Sequence, residues 1–122
     1  MDFDSNSKPI YLQIADFVCD RIVGGEIKPG ERVPSVRDYG ASIGVNPNTV
    51  VRTYEKLTND GIIFNKRGMG FYVSEEAVQI INQQSREEFM TVELPKVAKR
   101  MQQLNIDIET LVESLSPLLQ QK

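Results

Sequence analysis

The sequence predicts a mainly α-helical protein with one small β-hairpin, and residues Pro34 to Val73 carry most of that signal. Two helical patterns lie in this interval, separated by the short turn Gly44-Val45-Asn46. After Gly61 the pattern becomes extended, with short apolar runs on both sides of a glycine-containing turn. Two helices joined by a tight turn and followed by such a hairpin form a winged helix-turn-helix, in which the hairpin is the wing.

Both helices of the pair have recognisable ends. The first is predicted to begin after the N-cap Ser35, with Asp38 three positions on, and to end at Gly44. The second is predicted to begin with Asn46 as N-cap and Pro47 at the first helical position, where a missing N–H does no harm. In helix-turn-helix proteins the first residues of the second helix enter the major groove of DNA.

The second helix is predicted to bury one stripe, formed by Val50, Tyr54 and Leu57 at helical spacing. The side chains on its other faces are then available to a partner. These side chains belong to Asn48, Thr49, Arg52, Thr53 and Lys56.

The predicted wing has strands at Ile62–Phe64 and Phe71–Val73. Its tip runs from Asn65 to Gly70 and combines the cations Lys66 and Arg67 with two glycines, which permit close approach of the backbone. We expect the tip to contact a nucleic acid backbone or minor groove. The alternative is an ordinary solvated turn.

One further helix is predicted ahead of the pair. Its apolar stripe is formed by Ile10, Ile14, Val18 and Ile22, and two consecutive glycines follow it. The connector between residues 26 and 33 contains a Pro-Gly turn, and we expect it to be a loop or to add a short strand to the wing.

The C-terminal region, residues 74–122, is predicted to form short amphipathic helices. Ser74 and two following glutamates are typical of a helix start, and Ser85-Arg86-Glu87-Glu88 matches a capping box for the next helix. Pro95 is expected to kink or interrupt that helix, and Asp107 to be the N-cap of the last one. The apolar positions expected at an interface with a partner are Phe89, Val97, Met101, Leu104, Leu111, Leu115 and Leu118.

The predicted division is therefore residues 1–73 for a winged helix-turn-helix domain and residues 74–122 for a helical dimerisation region. The apolar stripe of residues 74–122 is too long for so short a region to bury alone, so its exposed face needs a partner. The alternative is that these helices fold back on their own winged helix. The region also leaves little room for an enclosed effector pocket of the usual size.

Composition narrows the class of protein. A length of 122 residues suits one modest domain with a small appendage, and 25% charged residues are typical of a globular protein. The single cysteine, Cys19, excludes an intrachain disulfide and favours a reducing compartment. The acidic, polar residues 1–8 do not match a signal peptide, and no apolar run approaches a membrane helix. We expect a cytoplasmic protein.

The net charge of −3 argues against binding to nucleic acid, but the distribution of charge along the chain weakens that objection. Seven cations and four anions lie between Lys28 and Gly70, whereas five cations and eight anions follow Val73. One part of the chain can therefore face phosphates. Catalysis has little support, because the sequence contains no histidine, no cysteine pair and no metal-ligand spacing. We expect no enzyme, no metal and no cofactor.

Several motifs resemble, in order, the N-terminal domain of GntR-family bacterial transcription regulators. They are KPIYLQI from Lys8, GEIKPGERVPSVR from Gly25, TVVR from Thr49, GII from Gly61 and GMGFYV from Gly68. The run VNPNTV from Val45, together with the short C-terminal region, resembles the YtrA-type subfamily. The resemblance implies dimerisation through the C-terminal helices and, as in other YtrA-type systems, regulation of membrane-transporter genes.

The expected DNA contacts follow from the motifs and the resemblance together. In the resembled family, the arginine that matches Arg37 contacts DNA; the alternative is an ion pair with Asp38 or Glu31. Arg52 is expected to reach a guanine edge, or else a phosphate or Glu55. The complete set is Ser35, Arg37, Pro47, Asn48, Thr49, Arg52, Lys66, Arg67, Gly68 and Gly70.

Three details qualify this set. Pro47 stands where the wider family often has an arginine, so Asn48 is expected to read the base instead. Thr49 is expected to bond a phosphate or to cap its helix locally. The aromatic residues expected in the core, and not as stacking platforms for bases, are Tyr11, Tyr54 and Phe71.

The sequence thus predicts a transcription regulator, most simply a repressor, that binds a pseudo-palindromic double-stranded operator as a homodimer. One alternative is a winged helix that serves as a protein-interaction module, with its basic wing on an acidic partner. Another is a sensor that binds a small effector at its dimer interface, although no residue cluster identifies such a ligand.

Overall fold

The computed structural model describes residues 8–121, which form six α-helices, one π-helical segment and one antiparallel hairpin. Residues 1–7, which include most of the acidic N-terminus, and residue 122 lie outside the described part. The chain divides into two compact units, which we call the head, up to Gln83, and the tail, from Gln84. The elements are α1 (Ile10–Val23), α2 (Val36–Ile43), α3 (Pro47–Asn59), β1 (Ile63–Lys66), β2 (Gly70–Val73), α4 (Ala77–Glu88), the π-helical segment (Phe89–Glu93), α5 (Leu94–Leu104) and α6 (Ile108–Gln120).

Both ends of α2 and the start of α3 are the predicted ones. The Ser35 hydroxyl accepts a hydrogen bond from the Asp38 N–H at 3.1 Å, and α2 ends at Gly44 with a left-handed φ of 72°. The Asn46 side chain accepts from the Asn48 N–H at 2.8 Å, and Pro47 follows at the start of α3. These caps satisfy backbone donors that a helix start leaves unpaired.

The turn between α2 and α3 depends on a glycine that the sequence analysis did not single out. A Cβ atom built on Gly40 would lie 2.7 Å from the Val45 carbonyl oxygen, well inside van der Waals contact. Gly40 is buried, so the turn closes directly over its backbone. Close packing of the two helices therefore requires the absence of a side chain at this position.

The core of the head lies between α1, α3 and the hairpin, with the predicted Val50, Tyr54 and Leu57 fully buried. The expectation that Thr53 lies away from the buried face is wrong, because Thr53 is also fully buried. Its hydroxyl donates to the Tyr11 carbonyl oxygen at 2.8 Å, which satisfies the polar group inside the core. The helical stripe is consequently wider than apolar residues alone indicate.

The connector ahead of α2 pairs with the hairpin, as a bridge and not as a full strand. Arg32 and Tyr72 form an isolated antiparallel bridge. The Val33 N–H donates to the Phe71 carbonyl oxygen at 2.9 Å, and the Gly30 N–H donates to β2 at 2.8 Å. This pairing fixes the position of the connector against the wing.

The helix that follows the wing is longer than predicted. Ala77 and Ile81 of α4 are buried in the core of the head. The capping box expected at Ser85 is wrong, because α4 continues through that residue to Glu88. A Ser-x-x-Glu spacing also fits a helix interior when no turn precedes it, and here the preceding residues are already helical.

The interruption comes instead just before Pro95, as its missing N–H requires. Residues Phe89–Glu93 form a π-helical turn, and the Leu94 N–H donates to the Phe89 carbonyl oxygen. In α6, the predicted N-cap Asp107 accepts from the Thr110 N–H at 2.8 Å. Hydrogen bonding from the Thr110 side chain, and after it from the Thr110 backbone N–H, lowers the pKa of the Asp107 carboxyl from its ordinary value.

The tail has no buried residue in its described part, residues 84–121. Met101 and Leu111 are half-buried, and the remaining large apolar side chains are exposed. They belong to Phe89, Met90, Val92, Leu94, Val97, Leu104, Ile106, Ile108, Val112, Leu115, Leu118 and Leu119. Such an apolar surface is typical of a segment that packs against a partner.

Candidate nucleic-acid interface

The start of α3 presents polar side chains to solvent. Pro47, Asn48 and Arg52 are exposed, and Thr49 is half-buried. The Asn46 cap uses the Asn48 backbone N–H, which leaves the Asn48 carboxamide outside that capping bond. Buried residues on the opposite side of α3 hold this surface in place, so its geometry is set by the core of the head.

Arg52 lies against an aromatic ring from another helix. Its guanidinium carbon is 4.1 Å from the centroid of the Tyr11 ring of α1, a cation–π arrangement. Among residues 8–121 no salt bridge joins Arg52 to Glu55, so that alternative does not form. Tyr11 is half-buried and stands outside the buried core cluster, contrary to expectation.

Tyr54 and Phe71, in contrast, lie where they were expected. Their rings pack edge to face with centroids 5.2 Å apart. Tyr54 is fully buried, and its hydroxyl donates to the Pro34 carbonyl oxygen at 2.7 Å. Burial raises the pKa of this phenol. Phe71 packs against the same core, so the two rings join the wing to α3.

Arg37 and Ser35 lie together at the start of α2. Arg37 is exposed, and within the described part of the chain it pairs with neither Asp38 nor Glu31. The Glu31 carboxylate instead accepts the Lys28 backbone N–H at 2.6 Å. The Ser35 hydroxyl accepts its capping bond and keeps its own proton available to donate.

The wing tip places further cations in solvent. The Lys66 ammonium lies 5.2 Å from the centroid of the Tyr72 ring, which itself stacks on Phe64. Arg67 is exposed. Gly68 has a φ of 76° and open space where a Cβ would stand, so the tip backbone is accessible.

Gly70 has a neighbour that sequence analysis did not identify. A Cβ atom at Gly70 would lie 2.8 Å from the Arg32 Nε, so the Arg32 side chain crosses the backbone of the wing there. Arg32 is exposed and belongs with the candidate contacts. In the sequence, Arg32 lies in the basic interval and in the motif that begins at Gly25, but neither feature places it on the wing, because the pairing of the connector with the wing is a tertiary contact.

The unpaired cations of the head concentrate on these elements. Lys8, Arg21 and Lys56 form salt bridges with carboxylates. Among the described residues of the head, the cations without a salt bridge lie on the connector, α2, α3 and the wing. They are Lys28, Arg32, Arg37, Arg52, Lys66 and Arg67.

Metal ligation, membrane insertion and thiol chemistry have little basis among residues 8–121. No group of three or more metal-ligating side chains occurs there, and no helix there is long and apolar enough to span a membrane. Burial and the nearby carboxylates of Asp16 and Asp20 raise the pKa of the Cys19 thiol to about 12. A neutral thiol is a poor nucleophile.

A helix pair with a tight turn, an exposed polar helix start and a basic hairpin together define a winged helix-turn-helix DNA-binding domain. Residues 10–73 match the family described as "Bacterial regulatory proteins, gntR family", which is slightly more than half of the chain. The chain therefore belongs to the GntR family. It is a transcriptional regulator with a DNA-binding domain, and this family consists of regulators, not enzymes.

Relatives of similar length support this assignment. YhcF of Bacillus subtilis, an uncharacterized HTH-type transcriptional regulator, is 37% identical over 110 residues, covering 90% of this chain and 89% of that protein. The B. subtilis HTH-type transcriptional repressor YtrA is 33% identical over 117 residues, covering 85% and 90%. The predicted kinship with YtrA-type regulators is confirmed.

A solved structure agrees with the fold. The crystal structure of a putative GntR-family transcriptional regulator from Bacteroides thetaiotaomicron has a TM-score of 0.80 and 38% identity. The similarity covers 92% of this chain and 97% of that one, so it extends beyond the winged helix-turn-helix.

Proposed function

We propose that this chain is a transcriptional repressor that binds a pseudo-palindromic DNA operator as a homodimer in the cytoplasm. The observation that carries the proposal is the concentration of unpaired cations on the connector, α2, α3 and the wing. A surface rich in unpaired cations attracts the phosphates of DNA. The elements on which these cations lie are the ones that contact DNA in winged-helix proteins.

The start of α3 supplies sequence discrimination in this proposal. Asn48 and Arg52 are exposed on one side of α3. An asparagine side chain can bond both N6 and N7 of adenine, and an arginine can bond both O6 and N7 of guanine. Thr49 bonds a phosphate through its hydroxyl, and Pro47 presents only a compact apolar ring to the DNA at the helix start.

The remaining contacts position the head on the duplex. Ser35 and Arg37 bind phosphates beside the groove that α3 occupies. Lys66 and Arg67 reach the backbone or minor groove from the wing, where Gly68 and Gly70 keep the main chain accessible. Arg32, crossing Gly70, adds a cation at the base of the wing.

Dimerisation through the tail provides the symmetry of the operator. The apolar tail side chains are exposed or half-buried in one chain, so a second copy can cover them. The residues proposed at this interface are Phe89, Val97, Met101, Leu104, Leu111, Leu115 and Leu118. A two-fold dimer holds two α3 helices at a fixed separation, which makes half-site spacing part of recognition.

The experiment is selection of bound duplexes from a random DNA pool at about 0.15 M salt, close to physiological ionic strength. Arg37→Ala protein is selected in parallel. We expect the wild type to recover an inverted repeat, and the variant, which should bind every duplex more weakly, to retain less DNA in each round of selection. Failure to enrich any repeat from the wild type contradicts the proposal and favours a protein-interaction role, in which random-sequence DNA should hardly compete with the partner.

A further inference from the structure

The contact between Arg52 and Tyr11 joins two residues that are far apart in sequence. Tyr11 lies in the first turn of α1, and Arg52 lies in the middle of α3. The distance of 4.1 Å from the guanidinium carbon to the ring centroid places the cation directly against the ring. Arg52 is otherwise exposed and has no salt bridge among residues 8–121.

A second contact fixes the backbone beside the ring. Thr53, which follows Arg52, is fully buried and donates its hydroxyl proton to the Tyr11 carbonyl oxygen at 2.8 Å. Consecutive residues of α3 therefore bind both the backbone and the ring of Tyr11. The ring cannot move away from Arg52 without breaking a buried hydrogen bond or changing its own rotamer.

We infer that Tyr11 is a positioning residue for specificity, which holds Arg52 in the conformation that reads a base. A long arginine side chain loses rotamer freedom when it binds, and a guanidinium already stacked on a ring loses less. The planar fork of arginine suits both stacking and two-bond recognition of guanine. This inference rests on the proposed function, in which Arg52 contacts a base edge.

The wing offers a matched comparison. Lys66 also lies over a ring, that of Tyr72, but at 5.2 Å and with a compact ammonium that donates in any direction. A phosphate contact of this kind carries no sequence information. Removing the Tyr72 ring should therefore weaken binding to all duplexes alike, whereas removing the Tyr11 ring should change discrimination.

The test on DNA is a double-mutant cycle. Tyr11→Leu, Tyr11→Phe, Arg52→Ala and Tyr11→Leu with Arg52→Ala are titrated with the selected operator, its single base-pair variants and a random duplex. Tyr11→Leu should reduce discrimination at the base pair read by Arg52 about two- to fivefold, the range of an exposed cation–π contact. Tyr11→Phe should keep wild-type discrimination, and Tyr11→Leu should have no effect when Arg52 is alanine.

Equal losses from Tyr11→Leu with and without Arg52 would overturn the inference and make Tyr11 a structural residue only. So would unchanged discrimination in Tyr11→Leu protein. Tyr72→Leu is the control that should lower affinity without altering preference. Thermal unfolding checks each variant, and Tyr11→Met, which retains apolar volume, replaces Tyr11→Leu if the latter does not fold.

A measurement without DNA separates this inference from the proposed function. In the NMR spectrum of the free protein, the ring should shift the Arg52 Nε–H resonance upfield in wild type and Tyr11→Phe but not in Tyr11→Leu. Arg37 serves as the reference resonance. A shift that does not depend on the ring overturns the positioning role. If the shift depends on the ring but the selection recovers no operator, the positioning of Arg52 by Tyr11 is supported and the proposed recognition of DNA is overturned.

Discussion

The head of this chain buries many of its apolar side chains, whereas the described part of the tail leaves its apolar side chains exposed or half-buried. In the head, α1, α3 and the hairpin enclose a core, and both helices of the helix-turn-helix have capped starts. In the tail, no residue between 84 and 121 is buried, although apolar side chains recur along every helix. The head therefore has a core of its own, whereas the apolar side chains of the described tail are left for a partner to cover, as the proposed dimer would do.

The largest expected effect on operator binding comes from a charged residue introduced into the apolar stripe of the tail. Met101→Asp places a carboxylate in the middle of the α5 stripe and should give monomers, with operator affinity reduced about a hundredfold or more through lost bivalency. Light scattering and operator titration measure both effects. Gln103→Asp introduces the same charge on the other side of α5 and should remain dimeric. A dimeric Met101→Asp protein with full affinity would contradict this role of the tail.

A substitution in the head should act on stability instead. Gly40→Ala forces a methyl group against the Val45 carbonyl oxygen, and overpacking of this kind costs about 1 to 3 kcal/mol. Chemical denaturation of the variant should show that decrease, while its dimerisation is unchanged. Ser42→Ala adds the same residue at an exposed position of α2 and removes only the hydrogen bond from the Ser42 hydroxyl to the Tyr39 carbonyl oxygen, so it should cost less than Gly40→Ala. Equal stabilities of Gly40→Ala and wild type would disprove the close packing of the turn.

Within the head, two arginines should separate base reading from phosphate binding. Arg52→Ala should lose about 1 to 3 kcal/mol of binding and relax preference at one base pair. Arg37→Ala should weaken all duplexes similarly and reduce the salt dependence of binding by about one unit of slope. Titrations of an operator series at several salt concentrations measure both. A uniform loss in Arg52→Ala would reassign that residue to phosphate.

Cys19 is expected to have the smallest influence on DNA binding and dimerisation, and its prediction concerns the reactivity of its thiol. Its raised pKa, from 9.0 to about 12, keeps the thiol neutral, so alkylation at pH 8 should be roughly a hundredfold or more slower than in denatured protein. Because folding raises this pKa, the stability contribution is complete below the unfolded value and is lost as pH rises toward about 12. Native alkylation at the denatured rate would mean that the head opens at this position.

The sequence was informative where the determining interactions are local. The caps at Ser35, Asn46 and Asp107 involve residues two or three positions apart, so residue type and spacing were enough to find them. The false capping box at Ser85 shows the limit of that reasoning, because the same spacing is compatible with a helix interior.

Two of the missed features depend on residues that come together only after folding. Thr53 is buried, and its hydroxyl is satisfied by the Tyr11 carbonyl oxygen, 42 positions away in sequence. The crossing of Arg32 over Gly70 depends on the connector pairing with the wing. Periodicity identified the faces of single helices but carried no information about which residues of other elements would pack against them.

The most direct test of a dimeric operator reader compares an inverted repeat with a single half-site. The stoichiometry of each complex is determined by analytical ultracentrifugation, with the free protein measured at the same concentration. We expect the free protein to be a dimer that binds one inverted repeat per dimer and forms a much weaker complex with the half-site. A free monomer that binds the half-site as tightly as the inverted repeat would contradict this expectation.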